Sequence, residues 1–518
     1  MESKEFLIES NVPFEQSAIW NYNNEFYQSK GIEAWSEGIV PHNVTSNSLV
    51  AQTYAKLIFG FLNDLALRTE SNKVVYILEL GAGHGRLCFH VLQHLKKLIT
   101  NSTRTTPPFC YVLTDYVEDN LTYYKNHPQF QTFFESGELD FAHFDATKKT
   151  EIHLLNSDII LKTNSVQHPI FVIANYFFDS LPNELFHIHN NEISKCSVSI
   201  KSSVDPLSVP IQELLKYIDL SYKKTKSKPP FTQDRIHNKI LQEYLNINED
   251  TFIFFPKIAL HCLSNIKQLS KGGLVLLTMD KGYHRLPDLI NDKEPDLVKH
   301  GSFSLLVNFH ALKQFCLHLK GKVLFPTFSN FSIELGCLIF TDEVNNFIEL
   351  EGAYDEYVEK FSPDDYNIIK EMCYSNVSNL KIKDLIAIYR LSKYDASVFI
   401  NLLPKLKHSL NVISLKERER LAHVIDLVWL MYFNINEQVD LSYELGIILY
   451  DLAYYSNAAN YFQHSISQNG MQADVIYNQA LCYYQLRQDE QFYFTLNKAK
   501  AMFPDTEIFT SLEKLDMT

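Results

Sequence analysis

Glu79-Leu80-Gly81-Ala82-Gly83-His84-Gly85-Arg86-Leu87 is the stretch whose reading decides the fold. It ends an apolar run at 74–80 (VVYILEL) and opens a helical one at 88–99 (CFHVLQHLKKLI). A strand, a turn with glycine at alternate positions and a helix form the first half of a crossover unit. Glycine lets the backbone turn tightly and approach a ligand with no Cβ in the way, and N–H groups at the helix start face that ligand. A dinucleotide fingerprint requires glycines at positions one, three and six, but the sixth position here is Arg86. The spacing therefore points to a different nucleoside site.

Outward from this loop, short apolar runs recur at 109–114 (FCYVLT), 139–144 (LDFAHF), 170–174 (IFVIA), 274–279 (LVLLTM), 322–328 (KVLFPTF) and 332–340 (SIELGCLIF). Helical stretches intervene, as expected for crossovers in a mainly parallel sheet. Only three residues join the last two runs, which predicts an antiparallel hairpin. The expected fold is α/β, a Rossmann-like seven-stranded, mostly parallel sheet with that terminal hairpin, followed by an all-α C-terminal region. The expected boundaries are a helical segment at 1–70, the sheet domain at 71–343 with an insertion at about 185–270, a helical domain at 344–438 and helical repeats at 439–518. Within the insertion, 185–200 reads as a β-hairpin turning at Asn190-Asn191, and 223–230 (KKTKSKPP) as an exposed loop.

Composition narrows the function classes. The 518 residues, at roughly 150 per domain, predict about three or four domains. Hydrophobic residues at 46% exclude wholesale disorder, and a net charge of −14 argues against a nucleic-acid partner. The eight cysteines include no C-x-x-C pair, so neither a disulfide framework nor a structural zinc site is expected, and a reducing cytoplasmic setting fits. No apolar window is long enough to span a membrane. His90 and His94, and His187 with His189, lack a third ligand and read as packing residues, so no metal site is expected.

The second and third strands close on Asp115 and Asp145, at the carboxyl edge where open parallel sheets bind ligands. With Glu79 two positions before the first glycine, this pattern resembles motif I of class I S-adenosylmethionine-dependent methyltransferases. The resemblance implies S-adenosyl-L-methionine as cofactor, held at Glu79, Gly81, Ala82, Gly83 and Gly85, with Asp115 at the ribose, Asp145 on the adenine side and Asn175 at the end of the fourth strand. The segment Asn175-Tyr176-Phe177-Phe178-Asp179-Ser180-Leu181-Pro182-Asn183-Glu184 is similar to one in the MidA-like methyltransferases, a family that includes a protein-arginine methyltransferase of respiratory complex I assembly. Tyr176 stands where that family has Glu, Lys281 where it has Tyr and Ala82 where Pro is common. The resemblance spans roughly 40–340.

Methyl transfer from a sulfonium is a displacement, so the protein aligns the nucleophile and excludes water. A guanidinium acceptor needs carboxylates to orient it and take its proton, which makes Asp179 and Glu184 the catalytic candidates, with Asn175 positioning the acceptor. At the C-terminus, Leu445, Gly446, Ala458 and Phe462, then Ala480, Tyr483, Ala499 and Pro504, resemble two tetratricopeptide repeats. These imply a protein substrate or partner bound by the repeats. The alternatives are a methyltransferase-fold scaffold without turnover and a small-molecule methyltransferase.

Overall fold

The apolar runs form strands because they bury both faces. The computed structural model describes residues 5–67, 72–148, 151–300, 302–328, 333–504, 506 and 508–513. Its principal strands are β1 (Phe6–Pro13), β2 (Val75–Leu80), β3 (Phe109–Asp115), β4 (Leu139–His143), β5 (Ile170–Asn175), β6 (Glu184–His189), β7 (Glu192–Ser202), β8 (Ile218–Lys226), β9 (Thr251–Phe255), β10 (Leu274–Asp280), β11 (Lys322–Leu324) and β12 (Glu334–Phe340). The helices that bear on the site are α1 (Ile19–Lys30), α2 (Ser48–Ala66), α3 (Arg86–Thr100), α4 (Glu118–Asn126), α5 (Arg235–Glu243), α6 (Lys257–Leu269) and α7 (Phe309–His318).

The chain divides into two units, one running through Ser46 and over Val50–Asn367, the other comprising Asn47–Leu49 and the chain from Ile368 onward. In the first, seven strands make a mixed sheet in the order β11-β12-β10-β5-β2-β3-β4. The pairings from β10 through β5, β2 and β3 to β4 are parallel, and β12 runs antiparallel to both β10 and β11. From β2 the chain builds outward to β3 and β4, then crosses back to place β5 on the other flank of β2. The ends of β2 and β5 thus meet at the switch point, where a crevice opens in such sheets. Leu78, Val172, Leu276 and Leu338, each fully buried, anchor the core against α6 and α7.

A second, antiparallel sheet runs β1-β7-β6-β9, with β8 also on β7. The turn from β6 to β7 is the expected one: Asn190 and Asn191 have φ of 47° and 60°, a region asparagine tolerates. Two expectations fail here. The opening segment is not wholly helical, because Phe6–Pro13 pairs with β7 through a ladder with two register shifts. Residues 223–226 are not loop but the end of β8, with Lys223 opposite Ser197 and Lys226 opposite Ser194. Exposed lysines on such a strand discourage further edge pairing, which explains why a strand carries a linker's composition. β11 covers 322–324 rather than 322–328, and the connection expected at 329–331 lies outside the described residues.

The second unit is helical. Helices Leu441–Asp451, Tyr455–Asn469, Ala473–Gln485 and Asp489–Met502 pack each on the next. Gly446 brings its backbone against the Phe462 ring, where a Cβ would fall 2.6 Å from a ring carbon. Ala458, Ala480 and Ala499 are likewise buried. Among the described residues no helix is long and apolar enough to cross a membrane.

Overpacking that contact gives a direct check. Gly446→Ala is expected to lower stability by about 1–3 kcal/mol despite alanine's better helix propensity. Chemical denaturation giving a more stable variant would show that the two helices do not pack this closely.

Candidate active site

The loop after β2 is shaped by three glycines in the left-handed region, with φ of 64°, 57° and 75° at Gly81, Gly83 and Gly85. L-side chains rarely adopt this backbone. At Gly83 space is a second constraint, since a Cβ would lie 2.9 Å from the Trp35 ring. Asp115, ending β3, ties the loop down. Its Oδ2 accepts from the Gly83 N–H at 3.1 Å and the Asn120 amide at 3.1 Å, while Oδ1 accepts from the Val117 N–H at 3.0 Å. Tyr124 completes the tie, donating at 2.6 Å to the Gly83 carbonyl. Ala82 donates its N–H to Thr114 across the β2–β3 pair.

This loop forms one wall of a cavity of about 330 Å³, at the lower end of the range for small-molecule sites. Glu79, Gly81, Ala82, Gly83, Asp115, Asp145, Asn175 and Asp179 all line it. The structure thereby brings together most of the residues singled out in the sequence. Gly85 does not line it; it caps the N-terminus of α3. Glu184 is not brought in either. It is buried on β6, where Lys195 reaches it at 2.7 Å and Lys257 at 3.6 Å, both also engaged by Glu15. A carboxylate neutralised by two lysines belongs to the joint between the second sheet and α6, not to a reacting centre.

Asn175 is occupied as well. Tyr54 donates to its Oδ1 at 2.6 Å, and its amide donates to the Thr45 carbonyl at 3.3 Å. The side chain therefore shapes the cavity wall. The next residue, Tyr176, has φ of 46°, costly for a bulky side chain and of a kind that clusters at functional sites. Asp179 follows on a single 3₁₀ turn with its Oδ1 unpartnered among the described residues. Its backbone N–H donates to the fully buried Asp280 at the end of β10, and that same carboxylate accepts from the Lys281 N–H at 2.8 Å.

Burial governs the charges. It pushes the Glu79 carboxyl up to about 8, against the opposing hydrogen bond from Tyr111 at 2.7 Å. It pushes Asp179 up to about 7, against the attraction of Lys281, and raises Asp280, with Asp179 adding to the effect. His84 is held neutral by burial and by its neighbours His42 and Arg86; its Nδ1 accepts from the Arg86 N–H at 3.0 Å. Asp145 is half-buried, and hydrogen bonds from Lys148 and Thr147 outweigh that burial and hold it below its ordinary value.

The opening segment supplies walls that sequence reasoning missed. Tyr27, Trp35, His42 and Thr45 all face the cavity, and Tyr27 stacks on Trp35 with ring centres 5.9 Å apart. Residues 31–46 carry no helical or strand periodicity, and the one usable signal was Trp35, among only three tryptophans in the chain.

Residues 61–292 match the family model described as "Putative S-adenosyl-L-methionine-dependent methyltransferase". The cofactor expected from the glycine loop is the one that description names. No curated protein matches the chain. Two solved structures from Burkholderia thailandensis are similar to it. One is an uncharacterized protein, 13% identical, covering 65% of this chain and 89% of its own, with a TM-score of 0.39. The other was solved with S-adenosyl-homocysteine bound and is 11% identical, covering 65% and 98%, with a TM-score of 0.36.

Two outcomes test the site. Glu79 and Asp179 have folded-state values above their ordinary 4.5 and 3.8, so the native state holds these protons more tightly than the unfolded chain. Their contribution is complete below the ordinary values and is lost as pH rises through about 7 and about 8. The melting temperature of Glu79→Gln should therefore fall less than wild type between about pH 5 and 8; an equal decline would place a neutral partner or water at Glu79. Separately, Asp115→Asn presents an NH2 group to donors on one side and should cost roughly 1–3 kcal/mol. Unchanged denaturation midpoints would remove Asp115 as the tie of the glycine loop.

Proposed function

We propose that this chain is an S-adenosyl-L-methionine-dependent methyltransferase acting on a protein side chain, with arginine as the candidate acceptor, and that its C-terminal helical pairs hold the protein substrate or a partner. The observation that carries this reading is the left-handed glycine loop facing Asp179 across one cavity at the switch point of the sheet. The residues present fit the cofactor: the glycine loop lines one cavity with Asp115 and Asp145, and carboxylates of both charge tendencies line the wall.

In this reading the backbone at Gly81–Gly83 would cradle the cofactor, Asp115 and Asp145 would accept hydrogen bonds from its sugar and base sides, and Glu79 would hold its ammonium group. A cation there draws Glu79 to the ionised form that burial otherwise opposes. The bound cofactor supplies an electrophilic methyl group. Tyr27, Trp35 and Phe177 exclude water, and Asp179 takes the acceptor's proton, a task suited to a carboxyl pushed up to about 7. Asp280, with no exposure to the cavity, positions Asp179 by accepting its backbone N–H.

One observation favours a second reading, a fold without turnover. Phe177 rests on Gly81, where a Cβ would lie 3.0 Å from its ring, as Trp35 rests on Gly83. These aromatic rings narrow the cavity where methyl transfer must occur.

Incubation of a lysate with tritium-labelled cofactor and purified chain separates the two. Labelled protein bands that fade at least tenfold with Asp179→Asn support the first, whereas cofactor binding with no labelled band supports the second. Absence of both binding and label contradicts the proposed function outright.

A further inference from the structure

The insertion carries a cluster that the proposed mechanism does not use. Asp234 stands at the N-terminus of α5, His237 lies one turn into that helix, and His261 lies on α6. One ligand atom from each, a carboxylate oxygen and two imidazole nitrogens, falls within 4.8 Å of both others. Asp234 Oδ1 and His237 Nε2 are 4.0 Å apart, and the two imidazole ring centres are 5.0 Å apart.

His237 supplies the independent observation. Its side chain is 99% buried, between the rings of Phe255 and Phe315, yet it makes no side-chain hydrogen bond among the described residues, and its Nδ1 is buried without a partner. A buried imidazole in that state is costly unless another interaction compensates. His237 Nε2 faces the Asp234 carboxylate, so an unprotonated Nε2 and that carboxylate offer two donor atoms to one cation. The spacing suits one: two imidazoles on a tetrahedral ion at about 2.0–2.1 Å place their ring centres roughly 5 Å apart.

The surroundings permit it. Lys257, which opens α6 and opposes a cation here, has its charge engaged by Glu15 at 3.1 Å. His261 is exposed, so it can close on an ion by rotamer change, while His237 is fixed by packing. Asp234 Oδ1 already caps α5 by accepting the N–H groups of Ile236 and His237 at 2.9 Å each, which holds the carboxylate in place.

We propose that Asp234, His237 and His261 form a two-histidine, one-carboxylate site for a divalent first-row transition metal, which clamps α5 to α6. One carboxylate and two neutral imidazoles suit zinc, cobalt or nickel rather than calcium or magnesium, and water fills the remaining positions.

The test uses the full chain, stripped with chelator and titrated with Zn²⁺ by calorimetry, and with Co²⁺ by visible absorption. Expected are one high-affinity equivalent, a cobalt ligand-field band and a higher melting temperature with Zn²⁺. His261→Ala, at an exposed position, should retain the fold and weaken Zn²⁺ binding at least tenfold; Asp234→Asn, which keeps the helix cap, should do the same. His189→Ala, in a separate group where His187 and His189 meet Asp250 at 3.1 and 2.8 Å, should bind as wild type. Equal affinity in wild type and His261→Ala, loss of binding in His189→Ala alone, or no saturable Zn²⁺ binding would each overturn the proposal.

Discussion

The structure of the candidate site depends on one carboxylate. Asp115 ends β3, and its two oxygens gather the Gly83 N–H, the Val117 N–H and the Asn120 amide. These bonds tie the loop after β2 to the helix after β3, so the cavity wall is built by the strands that flank it. The sheet then adds the opposite wall: β5 lies beside β2, which sets Tyr176 and Asp179 across from the glycines. Charge-assisted bonds of this kind are strong because they are buried, and the same burial raises the carboxyl groups around them. Rigidity and tuned acidity are two consequences of one desolvated environment.

That environment explains why residues of similar chemistry take different roles. Asp179 and Glu184 are five positions apart and both are buried. Asp179 sits on the 3₁₀ turn after β5, beside another carboxylate, and lines the cavity. Glu184 is already on β6, where two lysines neutralise it. Asn175 looks from the sequence like a positioning group, yet Tyr54 and Thr45 take both ends of its amide.

Much of this was legible in the chain. The buried strands are apolar on both faces, so 74–80, 109–114, 170–174 and 274–279 stand out with no periodicity needed. The glycine spacing located the loop that lines the cavity, and Asn190-Asn191 located the hairpin turn. What escaped was set by tertiary partners. Phe6–Pro13 is a strand only because β7 offers an edge, and Lys223–Lys226 reads as a linker because its side chains face water. Trp35 and His42 come from a segment without periodicity. Asp234, His237 and His261 lie on two helices separated by β9, and no local spacing signals that these helices meet. Alternation and helical period report burial along one element; a site assembled from several elements leaves only isolated polar residues.

The central claim is that the glycine loop and Asp179 enclose a methyl donor. A crystal structure of the chain grown with S-adenosylhomocysteine tests it most directly. The nucleoside is expected against Gly81–Gly83 and between Asp115 and Asp145, with the sulfur directed toward Asp179. Density for the ligand at another surface, or Trp35 packed on Gly83 with no ligand in the cavity at saturating concentration, would contradict it.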